Sequence, residues 1–220
     1  MEARLDVDSA LRQMALDNLT VNLDSYIGSG HNYYLYHRKA DDRFVMMPWD
    51  PNEAWGNFNM GMALDGLTAL PLLWLPPAGQ APGPPLPGQP AGPQQPGSTR
   101  PLAQRLWAVP EFQQRYLRIV KALLEGPAKP ETLLERMITL RDLIRPWVEM
   151  DTLKMFTTAQ FDGAITQQTG AQIGGGPQGP PPPGQIQGPA PAAMLIPALR
   201  PFMELRQMSV QLQLAALLAE

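Results

Sequence analysis

The 220-residue chain has no cysteine, which excludes disulfides and thiolate zinc sites but leaves the redox compartment open. It has only two histidines, too few for a two-metal hydrolase centre unless many carboxylates join them. Charge of either sign never gathers into a block. With 17 Lys and Arg against 20 Asp and Glu the net charge is −3, which argues against a nucleic-acid surface. No apolar run approaches the ~18 residues of a membrane span. The opening MEARLDVDSALRQM has neither the basic stretch nor the apolar run of a signal peptide. No repeat with a period of about 20–50 residues is visible.

Proline and glycine are plentiful instead. Together the 26 Pro and 19 Gly make about a fifth of the chain, against a usual ~12%. They gather in two tracts, 76–99 and 174–191, which read as disordered or polyproline-like loops. The first contains PxxP spacing, which any tract so rich in proline shows by chance. The remainder is enough for one domain with an ordinary core.

Aromatic residues are 7% of the chain, yet four of the five Tyr fall between Asn22 and Gly61, with both His and two of the five Trp. Here NYYLYH at 32–37 and FVMMPW at 44–49 are β-prone, and RKADDR at 38–43 reads as the hairpin turn between them. The tyrosines are expected to pack on the hairpin with their hydroxyls at its rim. Asp24 precedes the first strand and Asp50 follows the second. The outer ends of paired antiparallel strands are neighbours, so both carboxylates can face one site. Such a pair can hold Mg²⁺ against phosphate oxygens while one carboxylate orients a hydroxyl nucleophile.

A structural reading stands beside that chemistry. Asp50-Pro51-Asn52-Glu53 has the form of a helix start, with an N-cap Asp, Pro at N1 and Glu at N3. Asp24 can close an Asx-turn before Ser25 and Tyr26. Gly28-Ser29-Gly30 lacks the flanking strand, helix and Lys of a phosphate-binding loop and reads as a flexible turn. His31 can approach the site, although a lone His beside a strand is more often a hydrogen-bonding residue of the fold.

Elsewhere the pattern is helical. Residues 8–22 are expected as a helix capped by Asp8, delivering the chain to Asp24. Trp55, Phe58 and Met60 suit an irregular loop over the site, and the apolar run 67–75 fits either a partly buried loop or an exposed patch. A short helix at 101–108 precedes one opened by Pro110 and stopped by Gly126, with Phe112, Tyr116, Ile119, Val120, Leu123 and Leu124 on one face. Residues 131–150 continue as a helix kinked or divided at Pro146, its stripe from Leu133 to Val148 facing the core. A weaker helix is expected at 152–168. The last, near 198–219, would dock through Phe202, Leu205, Met208, Leu212 and Leu214.

Three segments carry a family resemblance: NLDSYIGSGHNYYLY at 22–36, FVMMPWDPNEAWGNF at 44–58, and PLAQRLWAVPEFQQRY at 101–116, with a weaker echo in FMELRQMSVQLQL at 202–214. In these the chain resembles the CotH family of atypical, kinase-like proteins of spore coats and exported bacterial and fungal proteins. The resemblance implies a protein kinase that transfers phosphate from ATP to serines of partner proteins. It makes Asp24 the catalytic-loop carboxylate, Asp50 the Mg²⁺ ligand and Asn32 a second metal ligand. The fold expected is α+β and mainly helical, over residues 1–220: a kinase-like C-terminal lobe with the hairpin between two catalytic loops. The few residues before Asp24 read as one helix, so the nucleotide lobe is expected to be missing from this sequence. Spore-coat or exported localisation would then depend on a truncated N-terminus. The main alternative is a non-catalytic pseudokinase or coat-assembly scaffold; a metal-dependent phosphodiesterase is the other.

Overall fold

A computed structural model of the chain describes residues 1–76, 100–171 and 194–219. Apart from Pro76, both Pro/Gly tracts expected as disordered loops lie outside the described residues. The fold is α+β and mainly helical.

Helix α1 (Val7–Leu19) is the axis of the core. Its cap is Asp6, whose carboxylate accepts from the Ser9 amide at 3.0 Å, and Asp8, the expected cap, lies in the first turn. Both positions offer an acid; Asp6 wins because Val7, one residue later, is buried and already needs helical geometry. Leu11, Met14 and Ala15 are fully buried against α4 (Pro110–Glu125), where Phe112, Tyr116, Val120 and Leu124 form the facing stripe. Each such side chain contributes about 1.5–3 kcal/mol of burial. Ile119 and Leu123, expected on that stripe, are partly buried at its edge.

The run 67–75 is largely core. It continues from α2 (Leu64–Thr68), with Leu67, Leu70 and Leu72 buried and the Tyr116 hydroxyl donating to the Leu72 carbonyl at 2.8 Å. Helix α3 (Pro101–Trp107) joins the same core through Ala103 and Leu106. A smaller cluster of Val21, Leu23, Leu67, Leu70 and Phe202 lies directly beneath the segment that carries Asp24.

Strands β1 (Tyr33–Arg38) and β2 (Arg43–Pro48) form the expected antiparallel hairpin, in register from Tyr33 opposite Pro48 to Arg38 opposite Arg43. It rests on α1 by one edge, where the Asp6 and Phe44 amides exchange bonds with the Phe44 and Arg4 carbonyls. Only Met46 is buried; Tyr34, although more than half exposed, packs edge-to-face on Trp49 at 5.3 Å, whereas Tyr36 stands more than half exposed. Tyr33 stacks edge-to-face on Tyr26 at 5.0 Å.

The C-terminal half departs from expectation in three respects. Helix α5 (Pro130–Met150) continues through Pro146 without division, and of its residues only Pro130 is buried. Its apolar stripe is not core: Leu143 is 67% and Trp147 68% exposed. The exposed surroundings let water satisfy the carbonyl that Pro146 cannot. The helix expected at 152–168 shrinks to α6 (Thr158–Gly163), closed by a capping box between Thr157 and Gln160. Gly163 and the β-branched residues after it give way to β3 (Thr169–Ala171), paired antiparallel with β4 (Met194–Ile196). Finally, α7 (Leu199–Leu217) docks through Phe202, Met203, Arg206, Val210 and Leu214, while Leu205, Met208 and Leu212 face solvent. The buried Arg206 explains the altered face. Its guanidinium donates to the carbonyls of Thr68, Leu70 and Asn18 and to Asn18 Oδ1, and burial lowers its pKa to about 10.

Candidate functional site

The segment after α1 is folded tightly enough to fix a carboxylate. Val21 takes a left-handed φ of 49°, the Asn22 amide returns to the Asp17 carbonyl at 2.7 Å, and the Ser25 hydroxyl donates to the Asn22 carbonyl at 2.6 Å. The amides of Gly28, Ser29 and Gly30 donate to Ser25 and Leu23 carbonyls within the turn. They are therefore not available to cradle phosphate, and Gly28-Ser29-Gly30 is a bonded turn rather than a flexible one. A Cβ on Gly28 would lie 1.9 Å from the Leu23 carbonyl oxygen, and only glycine fits. The buried Arg100 guanidinium donates to the Gly28 carbonyl and supports the turn from below.

Asp24 emerges from this turn with a side chain 24% exposed. Ser29 Oγ donates to its Oδ1 at 2.9 Å, and Asn32 Nδ2 donates to its Oδ2 at 2.8 Å and to its backbone carbonyl at 2.9 Å. The bonds come from Ser29 and Asn32 side chains rather than from an Asx-turn. Each carboxylate oxygen retains a lone pair for a further donor. With its nitrogen turned to Asp24, the Asn32 amide leaves Oδ1 for a cation.

The second carboxylate is brought round by the hairpin. The Trp49 amide donates to the Asn32 carbonyl at 3.1 Å, which closes the outer end of the sheet and puts Asp50 beyond that junction. Asn32 and Asp50 both have left-handed φ values, 52° and 43°. Asn tolerates that region better than most residues, and so does Asp. Asp50 is exposed and caps nothing: the expected helix start is a single 3₁₀ turn, Pro51–Glu53, without a side-chain cap bond. The capping-box reading of Asp50 and Glu53 is thereby corrected.

Glu53 is the residue that inspection of the sequence did not assign to the site. Its pKa is raised first by burial and then by the negative charges of Asp24 and Asp50, and lowered in part by Asn57, whose Nδ2 donates to Oε2 at 2.6 Å. Glu53 therefore feels both candidate carboxylates. Ser29 was also missed as a partner of Asp24. A tight turn at Asp50-Pro51 brings the third residue back toward the first, and that was the available signal.

His31 Nδ1 lies 3.9 Å from Asp24 Oδ1 with a side chain 68% exposed, at the rim. His37 is at the other end of the hairpin, paired with Asp42 at 2.7 Å. Trp55, Phe58 and Met60, expected in a loop over the site, pack instead on the small cluster under it, tied by the Trp55 amide to the Thr20 carbonyl at 2.6 Å.

Among the described residues no group of three or more His, Cys, Asp or Glu side chains is close enough to cage a metal alone. The donors at this end are oxygens: the Asp50 carboxylate and Asn32 Oδ1, near the negative charges of Asp24 and Asp50 that add to the effect of burial on Glu53. That set suits Mg²⁺, which takes one or two carboxylates and completes its shell with water and phosphate.

The model of the family described as CotH kinase protein matches residues 1–169. Among curated proteins, the inner spore coat protein H of Bacillus subtilis (strain 168) is 27% identical over 160 residues, 72% of this chain and 36% of that protein. The match thus spans about a third of that relative's length. No helix among the described residues is long and apolar enough to cross a membrane.

Proposed function

We propose, for a chain that belongs to the CotH kinase protein family, that residues 1–220 form a kinase-like C-terminal lobe serving phosphoryl transfer from ATP to serine hydroxyls of a partner protein. The observation that carries this reading is Asp24, held at both carboxylate oxygens by Ser29 and Asn32, at a hairpin end shared with Asp50. A carboxylate so restrained can orient an acceptor hydroxyl with little reorganisation, and phosphoryl transfer depends mostly on positioning and charge neutralisation. Bound Mg²⁺ would neutralise phosphate oxygens, and Asp50 with Asn32 Oδ1 are the residues that would hold it. Glu53, partly buried and held by Asn57, keeps the Asp50 turn in place.

The test uses the longest natural polypeptide that contains these residues, with [γ-³²P]ATP, Mg²⁺ and a serine-rich acceptor. Asp24→Asn is expected to lower turnover by orders of magnitude with nucleotide binding spared, and Asp50→Asn to weaken metal-dependent binding and turnover together. Equal turnover by wild type and Asp24→Asn refutes the assignment.

The alternative, a non-catalytic assembly scaffold, is favoured by one observation: the exposed apolar side chains of α5, including Leu143, Trp147 and Met150. Absence of phosphoryl transfer from the natural polypeptide would select it. Metal-dependent phosphodiester cleavage without ATP would select the hydrolase.

A further inference from the structure

The turn that carries Asp50 and Glu53 has a second side. Immediately after them, Asn52, Ala54, Trp55 and Asn57 form one wall of a cleft of about 280 Å³. The opposite wall comes from far along the chain: Phe156, Gln160, Phe161 and Ala164 of the α6 region, with Ile196, Pro197 and Leu199 before and at the start of α7. Three properties define what it can hold. Its lining is aliphatic and aromatic with three carboxamide residues and no charged side chain. Its volume, below the ~300 Å³ at which small-ligand pockets begin, suits one or two side chains rather than a whole nucleotide. Phe156, on its wall, is partly exposed at 44%, which leaves the cleft open to solvent.

Its position is tied to the candidate site by bonds. Asn57 lines the cleft, and its Nδ2 holds Glu53, the group that feels Asp24 and Asp50. Asn57 Oδ1 is buried without a partner among the described residues. Asn52 lies two residues beyond Asp50, so their Cα atoms are at most about 7 Å apart. An extended polypeptide advances about 3.3 Å per residue. A serine presented to phosphate held at Asp50 and a side chain about two to four residues away can therefore occupy site and cleft together.

We infer that this cleft is the specificity pocket for the acceptor polypeptide and takes an aliphatic or aromatic side chain about two to four residues from the phosphorylated serine. The inference rests on the kinase reading for the serine's place, but not for the pocket's existence. A neutral side chain also fits the electrostatics, because Asp24 and Asp50 already place negative charge beside Glu53.

The experiment is a binding titration of the 220-residue chain, followed by NMR of the Ala54, Ala164 and Ile196 methyl groups. The probes are alanine-based serine peptides with Leu or Asp at one position, two to four residues to either side of the serine. At one of these positions the Leu peptide is expected to bind about tenfold or more tighter than the Asp peptide, moving those methyl signals. Ala164→Phe, which fills the cleft, should abolish the preference, and Phe156→Ala, at an exposed wall position, should reduce it severalfold without affecting the fold. Equal affinities at every position, no shifts with millimolar Leu peptide, or a preference that survives Ala164→Phe would each overturn the inference. So would displacement of the Leu peptide from these methyls by ADP, since the cleft would then belong to the nucleotide. Selectivity without phosphoryl transfer in the natural polypeptide would uphold the pocket and remove the kinase reading. Transfer without selectivity would do the reverse.

Discussion

Asp17 makes the stability of this protein depend on pH with a sign opposite to that of most paired carboxylates. It lies on α1 facing the core, 4% exposed, where Gln13 Nε2 donates to its Oδ1 at 3.0 Å and Asn22 Nδ2 at 3.4 Å. Burial pushes its pKa from the ordinary 3.8 up to about 7, against the lowering effect of hydrogen bonds from Gln13, Ser25 and Asn22. The nearby Tyr116 phenol is neutral, its pKa raised by burial and by Asp17 and lowered by the Arg206 guanidinium. Between those two values the folded state holds a proton that the unfolded chain has released. The stabilising neutral form is thus fully present below about pH 4, and its contribution is lost as pH rises through 7. About three pKa units correspond to roughly 4 kcal/mol over the whole titration.

The perturbation is Asp17→Asn, which retains an oxygen acceptor for Gln13 and Asn22 but cannot ionise. At pH 4 the variant should match wild type within about 1 kcal/mol, the value of one altered hydrogen bond. At pH 8.5, where wild type must bury a charge that its hydrogen bonds compensate only in part, the variant should be more stable by about 3–4 kcal/mol. For a chain of this size that is a Tm rise of roughly 6–16 °C. Urea denaturation at half-unit steps from pH 4 to 8.5 measures it directly. The wild-type curve should fall with pH while that of the variant stays flat from this source. Parallel curves, or a variant less stable at pH 8.5, would refute the burial argument. Because the Asn22 amide and side chain both bond Asp17, protection of the Asn22 and Leu23 amides, taken against the intrinsic base-catalysed exchange rate, should fall above pH 7 in wild type alone.

Three further outcomes can be checked by denaturation. Gly28→Ala must displace the Leu23 backbone and should cost about 3 kcal/mol or more, whereas Gly66→Ala, whose Cβ meets nothing closer than 3.9 Å, should be neutral or mildly stabilising. Arg206→Met removes the guanidinium from the carbonyls of Thr68, Leu70 and Asn18 and from Asn18 Oδ1, with Leu70 keeping Gln213 Nε2 and Asn18 the Val21 amide as donors, and should cost roughly 2–4 kcal/mol, while Arg200→Ala, losing an exposed pair with Glu204 at 2.8 Å, should cost under about 1. Leu143→Gln should change stability by no more than about 0.5 kcal/mol; a core-sized loss would mean that the α5 stripe is covered.

The fold was legible wherever one local pattern decided it. Pro110 and Gly126 bound α4 because a missing N–H and a permissive backbone act within a single turn. The hairpin followed from two β-prone runs around a polar turn, and its ends moved by only one residue. Failure came where burial had to be inferred from periodicity. The stripes of α5 and α7 have helical spacing, but spacing says only that one face is apolar, not that a partner covers it. On α7 the docking face turns on Arg206, a residue that a hydrophobic pattern counts as solvent. Its burial depends on three carbonyls contributed by residues far away in the chain, which no window on α7 contains.

The candidate site divides in the same way. Asp24 and Asp50 stood out because each is an isolated acid at one end of a strand pair, and hairpin topology alone brings such ends together. Asn32 entered only through the family resemblance, and its bonds to Asp24 accompany a left-handed backbone that no local pattern announces. Ser29 and Glu53 were hidden behind ordinary explanations, a turn serine and a capping glutamate. Both explanations assumed that the local chain would satisfy these groups. Instead the turn amides are used by backbone carbonyls, which frees the Ser29 hydroxyl for Asp24, and the left-handed Asp50 ends the helix before a cap can form, which frees Glu53 for Asn57. A polar side chain released from its usual local bond in this way is the one to examine first for a role at the site.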